Sequence, residues 1–206
     1  MSLPADLFAI VNKILARLIG RSELCVLALA LLSSLCLAPA SQAAPLEVLR
    51  VVAHRSSDGV YIELETRFDL PPSVEEALQK GVALYFTAEA VLRRPRWYWR
   101  DTEVSTAVRT WRLNYQPLTQ TYRVSFGGLS QTYTSLRDAL HAVQYCSQWR
   151  IAEAVPADDD ARYYAEVSYR LDTSQLPRPL QIGLGSQAEW NLAAERTVPV
   201  GTGNSR

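Results

Sequence analysis

Lysine is nearly missing from this chain: only Lys13 and Lys80 contribute to a basic total of 21. Histidine is as scarce, at His54 and His141. The two lie far apart, and neither belongs to a His-Glu-x-x-His helix or accompanies a cysteine pair, so no metal site is expected. Of three cysteines, Cys25 and Cys36 fall in the N-terminal segment and Cys146 stands alone beyond it. A single thiol closes no internal disulfide, and a lone cysteine is more often a small buried hydrophobe. No apolar run reaches the ~20 residues of a spanning helix; the longest, Leu24 to Ala38, has 15. Charge of one sign is not in excess either: 21 basic face 21 acidic residues, and beyond residue 43 the balance is 18 to 19. That excludes a nucleic-acid binder driven by a broad positive field. Phosphate loops, dinucleotide fingerprints and the Gly-x-Ser-x-Gly elbow are all missing, so no catalytic residue and no cofactor is expected.

What is present begins with an address. Residues 1–43 carry Lys13, Arg17 and Arg21, then the apolar run, then the small-residue exits Ala38-Pro-Ala40 and Ser41-Gln-Ala43. A basic start, a short apolar core and an Ala-x-Ala site describe a secretory signal peptide; an uncleaved membrane anchor is the alternative. The periplasm is the expected compartment. Residues 44–200 then form a single β-rich domain, and 201–206 a flexible tail.

The exported part reads as strands. Val60, Ile62, Leu64, Thr66 and Phe68 alternate with Tyr61, Glu63, Glu65 and Arg67, the pattern of a half-buried antiparallel strand. Val82 to Leu92, Ser105 to Tyr115, Thr119 to Phe126 and Tyr163 to Leu171 repeat it, with Arg109 on the same face as Ala107, Trp111 and Leu113. Ser73-Val-Glu-Glu76 reads as a capping box opening a helix that Gly81 ends. A second helix starts at Thr134 or Ser135, with Leu136, Ala139, Leu140 and Val143 on one stripe. The expected fold is mainly β: an antiparallel β-sandwich of seven to nine strands with two short connecting helices. The alternative is α+β, one curved antiparallel sheet packed on two helices.

The least generic stretch is Leu92 to Asp101, with four arginines and three large aromatics. Read as a strand, Arg96 to Arg100 puts Trp97 and Trp99 on one face and Arg96, Tyr98 and Arg100 on the other. Two expectations follow. The indoles anchor a core while guanidinium stacks on phenol, or the segment is a cationic, aromatic docking surface. The candidate binding residues are Arg94, Arg96, Trp97, Tyr98, Trp99, Arg100 and Asp101. Carboxylate pairs for a glycosidase are a remote third option, drawn from Glu63, Glu65, Glu89, Asp101 and Glu103. Asp158-Asp159-Asp160 lacks the spaced ligands of a calcium loop.

Three segments in order, Arg94-Pro-Arg-Trp-Tyr-Trp-Arg-Asp, Tyr115-Gln-Pro-Leu-Thr-Gln-Thr-Tyr-Arg-Val and Leu171-Asp-Thr-Ser-Gln-Leu-Pro-Arg-Pro-Leu-Gln, resemble a proteobacterial family catalogued as domain of unknown function 4390. The resemblance covers about Leu46 to Trp190. It implies an exported protein with a signal or anchor and no assigned activity, encoded beside membrane sensor histidine kinases. No catalytic residue carries over. The resemblance also points to Tyr122, Arg123 and Asp172 behind the arginine stretch. The function expected is a non-enzymatic extracytoplasmic binding or accessory protein, with an envelope or membrane protein such as a sensor kinase as partner. A glycan- or peptidoglycan-binding module is the alternative, and a carboxylate hydrolase the remote one. The membrane is touched only through residues 1–43, if they are retained.

Overall fold

Alternation decides the strands. In a computed structural model, the residues described are 46–98, 100–155, 162–178 and 188–202. The chain divides into Met1–Gln42 and Ala43–Arg206, and only the second is treated below; the signal or anchor read in 1–43 lies outside the described residues. Along Ala43–Arg206 the elements run β1 (Glu47–Arg55), β2 (Gly59–Arg67), α1 (Pro72–Gln79), β3 (Leu84–Arg94), β4 (Thr102–Gln116), β5 (Thr121–Phe126), β6 (Leu129–Tyr133), α2 (Leu136–Gln144), β7 (Tyr145–Glu153), β8 (Tyr164–Leu171) and β9 (Ala193–Thr202). The inward sets are as the period of two requires: Ile62 and Leu64 on β2 with Phe68 just past its end, Leu84, Phe86, Ala88, Ala90 and Leu92 on β3, and Ala165, Val167 and Tyr169 on β8 are all buried.

The strands form one curled sheet in the order β6-β5-β4-β3-β8-β9-β1-β2-β7. The fold is mainly β, with nine strands and two α-helices among the described residues. Two stacked sheets of a sandwich are not formed, because β9 belongs to both halves. It pairs with β8 as far as Pro199 and with β1 from Val200 to Thr202. A strand that switches partners in this way makes the corner of the curl. The arrangement is therefore the single curved sheet with two helices, with one difference: β1 and β9 run parallel. Gly201 and Thr202 are rungs of that ladder, opposite His54 and Arg55; the rest of the tail expected over 201–206 lies outside the described residues.

The curl closes on aromatics. Phe68, Phe86 and Tyr169 have ring centroids 5.2–6.2 Å apart, and Trp111 joins them 6.1 Å from Tyr169. Tyr169 donates its hydroxyl proton to the Val143 carbonyl at 2.8 Å, which satisfies a buried polar atom and ties α2 to the core. Ser135 caps α2 by accepting from the Asp138 amide, as read. The box expected at Ser73 does not form. Helix α1 starts two residues earlier, after Pro71, so Ser73 lies inside the first turn and donates instead to Glu189. Proline fits that early position because its missing amide hydrogen has no helical partner there.

The sheet has two ends. One carries both helices and the start of β1. The other carries the β3–β4 connection, the β1–β2 turn and the end of β7, since Gly59 lies opposite Glu153. A Cβ on Gly59 would sit 2.6 Å from the Ala152 carbonyl oxygen, so only glycine permits this approach of β2 to β7. The eleven residues of β3 separate the two ends by about 35 Å at ~3.3 Å per residue.

Candidate functional site

The arginine–aromatic stretch is the tip of the β3–β4 hairpin. Leu92 is the last fully buried residue of β3. Opposite it the register jumps, pairing Leu92 with Ser105 but Arg93 with Glu103. Val104 is thus an extra residue on β4, a β-bulge, and its side chain is 43 % exposed. Arg93 braces the base of the tip, 2.7 Å from Glu166 across the strands and 3.9 Å from Glu103. Arg94 and Thr102 make the last rung. Pro95, which cannot donate to a ladder, ends the strand, and the next strand begins at Thr102.

Asp101 latches this loop. One carboxylate oxygen accepts from the Arg96 backbone amide at 3.2 Å, the other from the Tyr164 hydroxyl on β8 at 2.6 Å. The Tyr164 bond, then the amide, hold the Asp101 carboxyl below its ordinary value of 3.8. The same bond, helped by partial burial, pushes the Tyr164 hydroxyl up to about 12. The signs give a window. A depressed carboxyl contributes stability above its unfolded value, lost as pH falls through the folded one. A raised phenol contributes below its unfolded value of 10.0, lost as pH rises through about 12. The latch is therefore expected to hold unchanged from about pH 4 to 10. In Asp101→Asn the Tyr164 hydroxyl should titrate closer to 10, followed by ring carbon shifts, and the Arg96 amide should exchange faster. Unchanged titration and exchange would show that the loop is held by something else.

Against the strand expected for Arg96 to Arg100, among the described residues 96–98 and 100 form no strand, and neither Arg96 nor Arg100 lies over Tyr98. Arg94, Arg96 and Arg100 are exposed. Trp97 is 94 % exposed and Tyr98 64 %, so Trp97 anchors no core. Instead Trp97 and Tyr98 pack edge to face on each other, centroids 5.0 Å apart. Trp99 lies outside the described residues. The physical reason is length: β3 has reached the end of the sheet at Arg94, so there is no second face left to cover the indole. Among the described residues neither Arg96 nor Arg100 has an ion pair, and residues 94–100 contain no acid.

The family "Domain of unknown function (DUF4390)" matches residues 43–198. The chain belongs to this family. No curated protein and no solved structure matches it.

The other residues singled out in the DUF4390 sequence are dispersed. Tyr122 packs at a tilt against Tyr115, ring centroids 4.9 Å apart, and Asp172 caps a short turn by accepting from the Ser174 amide; both lie at the helical end of the sheet, as does the exposed Arg123. They are not brought to the tip. The carboxylates considered for hydrolysis are engaged separately: Glu89 with Arg170, Glu103 with Arg93, Glu63 with Arg50 and Asp101 with Tyr164. His54 stacks on Tyr61, and among the described residues no three His, Cys, Asp or Glu side chains gather as metal ligands would. Asp158 to Asp160 lie outside the described residues. Among the described residues no helix is long and apolar enough to cross a membrane.

Two features of the DUF4390 domain escape the sequence. Behind the tip lies a cleft of about 500 Å³ lined by residues 102–105 and 152–155 together with Arg94, Arg96 and Tyr163. Farther along β4, the inward Arg109 lies between the rings of Phe126 (4.6 Å) and Trp149 (5.5 Å) and donates to the Cys146 sulfur at 2.9 Å. Arg109 could be placed inside by alternation. Cys146 and Trp149 could not: they are three apart, yet both are buried. The bulge at Gln148, where φ is 49°, turns both to one face. Burial pushes the Cys146 thiol up, and Arg109 pulls it partly back.

Proposed function

We propose that this DUF4390 protein is a non-enzymatic, extracytoplasmic binding or accessory protein that engages its partner through the β3–β4 tip. The observation that carries the reading is the exposure of Trp97 and Tyr98 on a latched loop between Arg94, Arg96 and Arg100. Folding gains little from an indole left in water, whereas aromatics and arginine are the residues most enriched among binding hot spots. The signal-like segment supports export to the periplasm, and the dispersed, individually paired carboxylates favour binding over hydrolysis. The partner of first choice is an envelope or membrane protein, the extracytoplasmic part of a sensor kinase included.

The test compares tagged full-length wild type with Trp97→Ala/Tyr98→Ala and with Arg96→Ala/Arg100→Ala in capture from envelope extract. Both doubles should keep their melting temperature, since exposed substitutions usually change stability by about 0.5 kcal/mol or less. Each should retain its partner about 30-fold less, the size of one hot-spot loss. Equal capture by folded doubles would remove the tip from the binding surface. A glycan-binding reading is favoured by the same open indole, and it predicts that soluble peptidoglycan fragments quench Trp97 fluorescence.

A further inference from the structure

The curl brings two strand edges face to face without joining them. On one side β4 pairs with β3 along residues 102–113, but on the other β5 covers only Trp111 to Gln116. Strand β7 pairs with β2 on one side and is the last strand of the sheet on the other. Residues 102–110 and β7 therefore look at each other across a seam, and among the described residues no main-chain ladder crosses it. Side chains close it in two places. Ser105 donates its hydroxyl proton to the Ile151 carbonyl at 2.6 Å, and Arg109 reaches Cys146.

The charge of Arg109 has no counterpart at this seam. Arg109 points inward, two residues before the buried Trp111, and is itself half-buried. A guanidinium carries five N–H donors. One of them goes to the Cys146 sulfur, which is only a weak acceptor. The neighbouring rings of Phe126 and Trp149 attract the cation without neutralising it. Among the described residues no carboxylate lies within ion-pair distance of it. Partial desolvation of an unpaired charge is costly, and an arriving oxyanion meets a fork of donors already held in place.

The approach to Arg109 is apolar. Leu129, Phe126 and Trp111 stand opposite one another on β6, β5 and β4, so all three share the inner face of the sheet. Trp111 is 5 % exposed, but Leu129, turned the same way, is 75 % exposed. The β5–β6 hairpin thus overhangs the core beside Arg109 and leaves an inward leucine in water. A lone cation next to an open apolar ledge fits a ligand with one charge and an apolar tail. We infer that Arg109 holds the head of an alkyl carboxylate whose chain lies along Phe126 and Leu129. One guanidinium balances one negative charge, which favours a carboxylate over a doubly charged phosphate. The inference goes beyond the reading of the tip as a binding surface and does not depend on it.

The probe is sodium octanoate, titrated into isotope-labelled full chain and followed by amide shifts and by the Arg109 Nε–H resonance. Shifts are expected at Arg109 and at residues 126–129 and 146–149. Acetate, which has the head alone, should bind at least tenfold more weakly. Octylamine, which has the chain and the opposite charge, should leave the Arg109 resonance in place. Arg109→Gln, checked for folding by circular dichroism, should lose octanoate. Leu129→Asn changes an exposed side chain and should keep its melting temperature, yet bind octanoate about fourfold more weakly, the contribution of one buried methylene. Absence of shifts at millimolar octanoate overturns the proposal. So does equal binding of octylamine, or undiminished binding by Leu129→Asn. A tighter response to acetyl-Ala-Ala-Leu with a free carboxylate overturns it in favour of a peptide terminus. Because the probe is independent of the natural partner, a tip that captures its partner beside a seam that ignores octanoate sinks this inference alone.

Discussion

Phe86→Ala should lower the melting temperature by about 10 °C or more. Phe86 is fully buried in mid-β3, opposite Trp111 on β4 and Leu171 on β8. Its ring lies 5.2 Å from that of Phe68 and 6.2 Å from that of Tyr169. Those two rings come from the β2 end and from β8, so Phe86 is where distant parts of the curled sheet meet. Truncation removes buried apolar surface and leaves a cavity that strand backbones on both sides keep from collapsing. Phe→Ala at such positions costs about 3–5 kcal/mol, against about 5–15 kcal/mol for a whole domain. A domain of this length loses about 2–4 °C per kcal/mol. Phe86→Leu should recover more than half of the loss, since it refills most of the space. Calorimetry checks both. A shift under about 2 °C for Phe86→Ala would mean that the aromatic cluster does not organise the curl.

The contrast between Phe86 and Trp97 is also the measure of what the sequence made legible. Phe86 sits in an alternation from Val82 to Leu92, and a run of six small or apolar residues on one face leaves a single option for burial. The face assignments of β2, β3 and β8 follow from that rule. The order of the strands does not. A period of two is the same whether a face looks at a second sheet or at its own far side, and the distinction lies in β9, which changes partner at Pro199. The tip misled for a related reason. Arg96 to Arg100 alternates well enough to imitate a strand, but alternation carries no information about where a sheet runs out. The seam is hidden twice over, because the Gln148 bulge breaks the period that would have aligned Cys146 with Trp149. Only Arg109 gave a hint: a cation inside an apolar series asks what it is for.

Arg109→Glu answers that question and should be the most damaging single change outside the aromatic core. Arg109 donates to Cys146 and offers its positive face to Phe126 and Trp149, each such contact being worth about 0.5–2 kcal/mol. Glutamate reverses every term. It is shorter, it sets a negative charge against the negative faces of two rings, and it has no proton for the thiol while ionised. Removing one side of a fully buried charged contact costs about 3–5 kcal/mol; Arg109 is half-buried, so about 2–4 kcal/mol is expected at pH 7. The pH dependence identifies the cause. A carboxyl held in that slot has its folded pKa raised above the usual ~4.3, so the variant should regain stability relative to wild type as pH falls toward 4. Arg109→Leu, which keeps the packing and loses the charge, should show a smaller loss with no such recovery. Hydrogen exchange gives the structural counterpart. In Arg109→Glu the amides of β7 should exchange faster while those of β3 and β8 lag behind, because the seam opens before the sheet does. Uniform acceleration across all strands, or a loss that ignores pH, would show that Arg109 is ordinary packing and that β7 is held in place by its ladder to β2 alone.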